Sequence, residues 1–186
     1  MHIRYIYKLK LRSELPNILK GCHASGLMVT HDPEEAMSIC DKVAVRNEGK
    51  IHQIDTPINL LNNPKTIFVS SFILGNNIIN LKKNGHSYIS CLGEINSSGL
   101  LKNTHIKIMS ISPKFISIKK SESGNANVIS KEFLGEFLIY KVSINENILR
   151  VRTNINNILN NGDKCSLSIN KNSYYFIYPG AHKVYI

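Results

Sequence analysis

Beyond Gly75-Asn76-Asn77 the chain alternates apolar and polar residues in short runs, and this period of two limits the fold more than any other feature. Leu138, Tyr140, Val142 and Ile144 fall on every second position, so one face of an extended strand is apolar. Asn145-Glu146-Asn147 turns the chain, and Leu149 and Val151 resume the pattern, which predicts a hairpin. Residues 87–91, 105–111, 115–118 and 127–133 read as further short strands, with Asn84-Gly85 and Ser123-Gly124-Asn125 as turns between them. Asn161-Gly162-Asp163 leads into Cys165, Leu167 and Ile169, again at period two. Many short strands at close spacing predict a small barrel over residues 76–186.

Residues 1–75 carry a different pattern. Helices are predicted over residues 12–20 and 33–40, and the short apolar run Leu27-Met28-Val29 predicts a strand before the second of them. Asp32 suits the N-cap and Pro33 the first helical position, while Glu35 is placed to complete a capping box on the Asp32 backbone. His31 is thereby expected between a strand's carboxyl end and a helix start, where α/β sheets gather anions and an imidazole N–H can reach a phosphoryl oxygen. A histidine in an ordinary loop has the same local signature.

Composition removes several classes of function. The 186 residues are 42% hydrophobic, enough for real cores. The longest apolar stretch, residues 67–75, is broken by Ser70-Ser71 and falls short of the ~20 residues needed to span a bilayer. The first residues mix Arg4, Lys8, Lys10 and Arg12 with apolar positions, unlike a signal peptide, so a cytoplasmic location is expected. Cys22, Cys40, Cys91 and Cys165 are widely spaced, as in reduced thiols, and no histidine cluster has metal-ligand spacing. The net charge of +10 is scattered, with Lys82-Lys83 and Lys119-Lys120 the tight pairs, so direct nucleic-acid binding is not expected. Tyr174-Tyr175-Phe176-Ile177-Tyr178 fits the aromatic final strand of a barrel better than a base-stacking platform.

Read together, five segments resemble one family. Val29-Thr30-His31-Asp32-Pro33-Glu34-Glu35-Ala36-Met37 is similar to the V-T-H-D-x-x-E-A-M switch-histidine region of ABC-transporter ATPases, and Asp41-Lys42-Val43-Ala44-Val45 to their D-R-hydrophobic-A-V strand. Gly49-Lys50-Ile51-His52-Gln53-Ile54-Asp55-Thr56-Pro57 is similar to their G-[RK]-I-x-Q-x-G-T-P hairpin. Asn59 to Pro64 and Phe68 to Gly75 resemble the E-L-Y-x-x-P and F-V-A-x-F-I-G that follow. The subclass so resembled serves ferric iron, polyamines, sulfate or sugars, and the last motif leans toward ferric iron or polyamine. Residues 76–186 resemble its TOBE domain, an OB-like barrel, through Ile111-Ser112-Pro113-Lys114, Phe133-Leu134-Gly135-Glu136 and Asn161-Gly162-Asp163-Lys164. Ser112 and Lys114 depart from the usual arginine and glutamate of that pattern.

The resemblance implies an α/β part of a P-loop nucleotide-binding domain at 1–75, followed by an all-β OB-like barrel at 76–186. It implies that His31 contacts the γ-phosphate in a complete subunit, which binds ATP and Mg2+, pairs with a second ATPase subunit and docks on permease subunits at the inner face of the membrane. These residues contain no G-x-x-x-x-G-K-[ST] loop, no L-S-G-G-Q-like signature and no apolar strand ending in Asp-Glu. Phosphoryl transfer rests on those groups, so no cofactor and no ATPase competence are expected of this chain alone. Lys10-Leu11-Arg12 resembles the K-L-R after the family's D-loop, while Lys8 stands where the D-loop aspartate falls. Without the remaining strands of such a sheet, Leu27 to Val29 and Val43 to Val45 are expected to expose apolar edges. The competing reading is a non-enzymatic OB-fold module that regulates a partner or binds a small anion.

Overall fold

The computed structural model describes residues 14–85, 87–95, 107–156 and 158–186. Lys8, Lys10-Leu11-Arg12, His86 and His105 lie outside them. The chain divides into two compact units, residues 1–65 and residues 66–186, each described separately below.

The first unit is a small α/β region. Helix α1 covers residues 14–21, α2 spans Pro33–Ile39, strands β1 and β2 span Val43–Asn47 and Lys50–Asp55, and α3 spans Pro57–Asn62. The two strands form an antiparallel hairpin. Its two-residue turn places Glu48 and Gly49 both at positive φ, +47° and +76°, the backbone of a turn that matches strand twist. Alternation along β1 buries Val43 and Val45 and leaves Ala44 exposed. The expectation of an exposed Val43 to Val45 edge is thus corrected, because hairpin pairing turns both valines to one buried face.

At Leu27 to Val29 the expected apolar exposure is present, and it is the predicted strand that is corrected. Residues 24–30 form no strand, and Leu27 and Val29 are 95% and 91% exposed. A single extended run becomes a strand only with a neighbour to take its backbone groups, and the described residues supply none there.

The second unit is β-barrel-like, and every strand pairing in it is antiparallel. It opens with α4 (Ile67–Leu74). The strands are β3 (Asn77–Asn80), β4 (Lys82–Asn84), β5 (Ser87–Ser90), β6 (Gly93–Ile95), β7 (Ile108–Ile111), β8 (Ile116–Lys120), β9 (Ala126–Phe133), β10 (Phe137–Ile144), β11 (Asn147–Asn154), β12 (Lys164–Ile169), β13 (Tyr174–Tyr178) and β14 (His182–Tyr185). They form sheets ordered β11-β10-β9-β12-β8, β14-β13-β7-β3 and β4-β5-β6. The outer strands β8 and β11 of the five-stranded sheet lie against each other, which curls it.

All three sheets contribute to one core. Ile79, Tyr88, Met109, Ile118, Val142, Val151 and Tyr175 are among its buried members. The β10–β11 hairpin forms as predicted, with Leu138, Tyr140, Val142, Ile144, Leu149 and Val151 all buried. Met109 and Ile111 point into this core, so Ser110 faces the opposite side of its sheet, where α4 packs. There the hydroxyls of Ser70 and Ser110 lie 2.6 Å apart, and the Asn76 Nδ2 donates to both, at 3.1 and 3.2 Å. This buried contact assigns α4 to the second unit, so the compact division at residue 65 precedes the composition change at residue 75.

Alternation alone did not reveal every element. Helices α3 and α4 begin at Thr56 and Thr66, whose hydroxyls accept from the Asn59 and Val69 N–H groups, caps that apolar alternation does not show. The 105–111 run yields a described strand only from Ile108, and 115–118 begins as a 3-10 turn at Pro113–Phe115. Tyr174–Tyr178 is a barrel strand but not the last, since β14 pairs beyond it.

Candidate functional site

The His31 turn is built by its neighbours. Asp32 is the N-cap of α2, with its carboxylate accepting from the Glu34 and Glu35 N–H groups at 3.0 and 3.3 Å, and Pro33 begins the helix as expected. Glu35 acts differently from the predicted capping box. The Asp32 N–H donates to the Thr30 hydroxyl at 3.0 Å, and that hydroxyl donates to the Glu35 carboxylate at 2.7 Å. Thr30 thus inserts itself between the two ends of the expected box. His31 sits at the bend between these anchored residues, exposed to solvent. The sequence placed the histidine, the cap and the helix together; it missed Thr30 as the link, although a threonine before the histidine with a glutamate five positions on was visible.

A second polar cluster explains the hairpin motif. Gln53, 4% exposed, donates from Nε2 to the Asn63 carbonyl at 3.1 Å and accepts from the Lys65 N–H at 2.8 Å. Its amide therefore satisfies backbone groups of the loop after α3, which neither strand nor helix would pair. Asp55 accepts from the Asn59 side chain at 2.7 Å and from the Thr56 N–H at 3.0 Å. Those two hydrogen bonds, the Asn59 one first, hold its carboxyl below the usual carboxylate range. Gln53, Asp55 and Thr56 are accounted for as an architectural lock between β2, α3 and residue 65, with no need of a ligand.

The chain is 45% identical over 86 residues to the spermidine/putrescine import ATP-binding protein PotA of Bacillus anthracis, covering 45% of this chain and 25% of that protein. Against the protein of the same name from Trichormus variabilis it is 33% identical over 172 residues, covering 78% of this chain and 44% of that protein. The Nostoc sp. protein gives 32% with the same coverage. These homologues are spermidine/putrescine import ATP-binding proteins by name. The chain spans less than half the length of these import ATP-binding proteins. No family model matches it.

Among the described residues no group of three histidine, cysteine or acidic side chains could hold a metal. No helix of the described residues is long and apolar enough to cross a membrane. Of the aromatic run, Tyr175 and Ile177 enter the barrel core, Phe176 and Tyr178 are buried on the other face, and the half-buried Tyr174 packs edge-on against Phe115 at 4.8 Å with the Lys183 ammonium 3.9 Å from its centroid. Its ring contacts are thus made within the fold, as the barrel-strand reading expects.

Proposed function

We propose that this chain is a C-terminal part of the ATP-binding subunit of an ABC importer for a polyamine, coupling ATP hydrolysis to solute uptake in the complete subunit. The observation that carries the reading is the 33% identity over 78% of the chain to a spermidine/putrescine import ATP-binding protein, in a chain whose motifs also follow that family's order. In that setting His31 donates an imidazole N–H to the γ-phosphate and holds the attacking water, while the phosphate loop, signature and magnesium-binding carboxylate come from sequence outside these residues. ATP and Mg2+ are then bound by the complete subunit, which pairs with a second copy and meets permease subunits at the cytoplasmic face. Residues 76–186 are a TOBE-type, OB-like barrel; the five-stranded curled sheet supports this, and its role is regulation or stabilisation of the paired subunits. The self-contained core of the second unit also favours a second reading, in which the barrel is a non-enzymatic module.

A chimera separates them. The chain is substituted for the matching 44% of the Trichormus variabilis protein, and uptake of labelled spermidine is measured in cells lacking their own importer. Uptake restored by the chimera supports the importer reading, and a stable chimera that assembles but moves no polyamine, ferric iron, sulfate or sugar favours the module.

A further inference from the structure

The hydrogen bonds around His31 single out two residues that tie down the backbone carrying the imidazole. We propose that Thr30 and Glu35 are positioning residues for His31, an inference that rests on the reading of His31 as a phosphate contact. The Thr30 hydroxyl is used twice, accepting from the Asp32 N–H at 3.0 Å and donating to the Glu35 Oε2 at 2.7 Å. Both residues flanking His31 are thereby fixed, Thr30 to the first turn of α2 and Asp32 to Thr30. Asp32 is fixed a second time through the Glu34 and Glu35 N–H groups. The two bonds of the Thr30 hydroxyl close over His31, and the two of the Asp32 carboxylate anchor the residue after it. Its own side chain is exposed, so what these bonds fix is the backbone from which the imidazole extends.

Such bracketing matters because the turn lacks the usual support. Residues 24–30 form no strand and Val29 is 91% exposed, so neither ladder bonds nor packing of that side chain hold the approach to His31. A hydroxyl bonded to a carboxylate is among the stronger side-chain contacts. Here it replaces a strand's hold on the same loop. Displacing a group that must meet a phosphoryl oxygen by even an ångström costs rate steeply. The Thr30–Glu35 bond is therefore assigned a role in presentation, distinct from the cap that Asp32 supplies to the helix.

The test reads His31 itself. In the full chain labelled with 15N, the His31 and Asp32 amides are expected to show order parameters near the rigid value of about 0.85 and to fall below about 0.6 in Thr30→Val. Thr30→Ser, which keeps the hydroxyl, restores them, and Glu35→Ala repeats the loss. Resonances of residues 43–55 are the control for folding; should Thr30→Val disturb them, Glu35→Ala and the Thr30→Ser rescue decide on the same signals. Unchanged order at His31 in Thr30→Val and Glu35→Ala, with residues 43–55 undisturbed, overturns the proposal. In the chimera, Thr30→Val is expected to lower ATP turnover about 10- to 100-fold at unchanged KM, with rescue by Thr30→Ser. If His31→Ala leaves the chimera's turnover intact, the phosphate contact is refuted, whereas loss of His31 order in Thr30→Val still sustains the positioning role.

Discussion

Asn77 and Arg150 belong to different sheets and exchange two hydrogen bonds: the Asn77 Nδ2 donates to the Arg150 carbonyl at 2.8 Å, and the Arg150 N–H donates to the Asn77 Oδ1 at 2.7 Å. Arg150 lies on β11, an edge strand, and its backbone groups point away from β10 at this position. The asparagine amide has the geometry of a peptide group. It therefore completes the edge as one residue of a further strand would, and ties β3 to β11.

Replacing Asn77 with alanine removes both bonds and leaves two backbone groups of Arg150 partly buried without partners. The expected loss is about 2–4 kcal/mol, from two bonds at roughly 1–2 kcal/mol each. Urea denaturation followed by far-ultraviolet circular dichroism measures it. Asn77→Asp, which keeps the acceptor but sets a carboxylate oxygen against the Arg150 carbonyl, is expected to be no more stable than the alanine variant.

The Tyr140 hydroxyl tests a second buried link. It accepts from the Leu159 N–H at 3.0 Å, and both residues are buried. Tyr140→Phe keeps the ring and its packing but orphans that N–H, so stability should drop by about 1–3 kcal/mol. Hydrogen exchange at Leu159 should quicken in the variant relative to the β10–β11 amides.

Alkaline stability follows from the buried tyrosines. Burial pushes the Tyr175 hydroxyl up to about 12 and raises Tyr178 as well, where a hydrogen bond from Ser70 partly offsets it. A group raised in the folded state stabilises fully below its unfolded pKa, near 10, and that contribution is lost as pH rises through the folded value. The melting temperature should therefore fall steeply between about pH 10 and 12. Tyr175→Phe should flatten that limb.

At the acid end Asp163 works in the opposite direction. The Asn160 N–H and then Lys120 hold its carboxyl below the usual carboxylate range. A lowered group contributes above its unfolded pKa and loses that contribution as pH falls through the folded value, so Asp163→Asn should weaken the acid limb below about pH 4 and leave the alkaline limb alone. Melting curves of both proteins from pH 2 to 7 provide the measurement.

How much of this was readable in advance depended on where the deciding contacts lie. Leu138 to Ile144 and Leu149 to Val151 were legible because one face meets the core along a whole hairpin, and period two survives any detail of the barrel. Thr56 and Thr66 start helices through side-chain caps: α3 is short and mixed in character, and α4 is apolar on nearly every side, so neither shows a one-sided apolar periodicity. Leu27-Met28-Val29 has strand composition but no described neighbour, and pairing cannot be seen in a single run. At the candidate site His31, Asp32 and Pro33 were placed by local chemistry. The Thr30–Glu35 bond was not, because a contact across five residues depends on how the turn closes.

The most direct measurement is ATP turnover by the chimera and by its His31→Ala variant at saturating ATP and Mg2+. If these residues complete an import ATPase and His31 meets the γ-phosphate, the chimera hydrolyses ATP and the variant loses about 100-fold in kcat with its nucleotide affinity little changed. Turnover unaffected by His31→Ala would contradict that account.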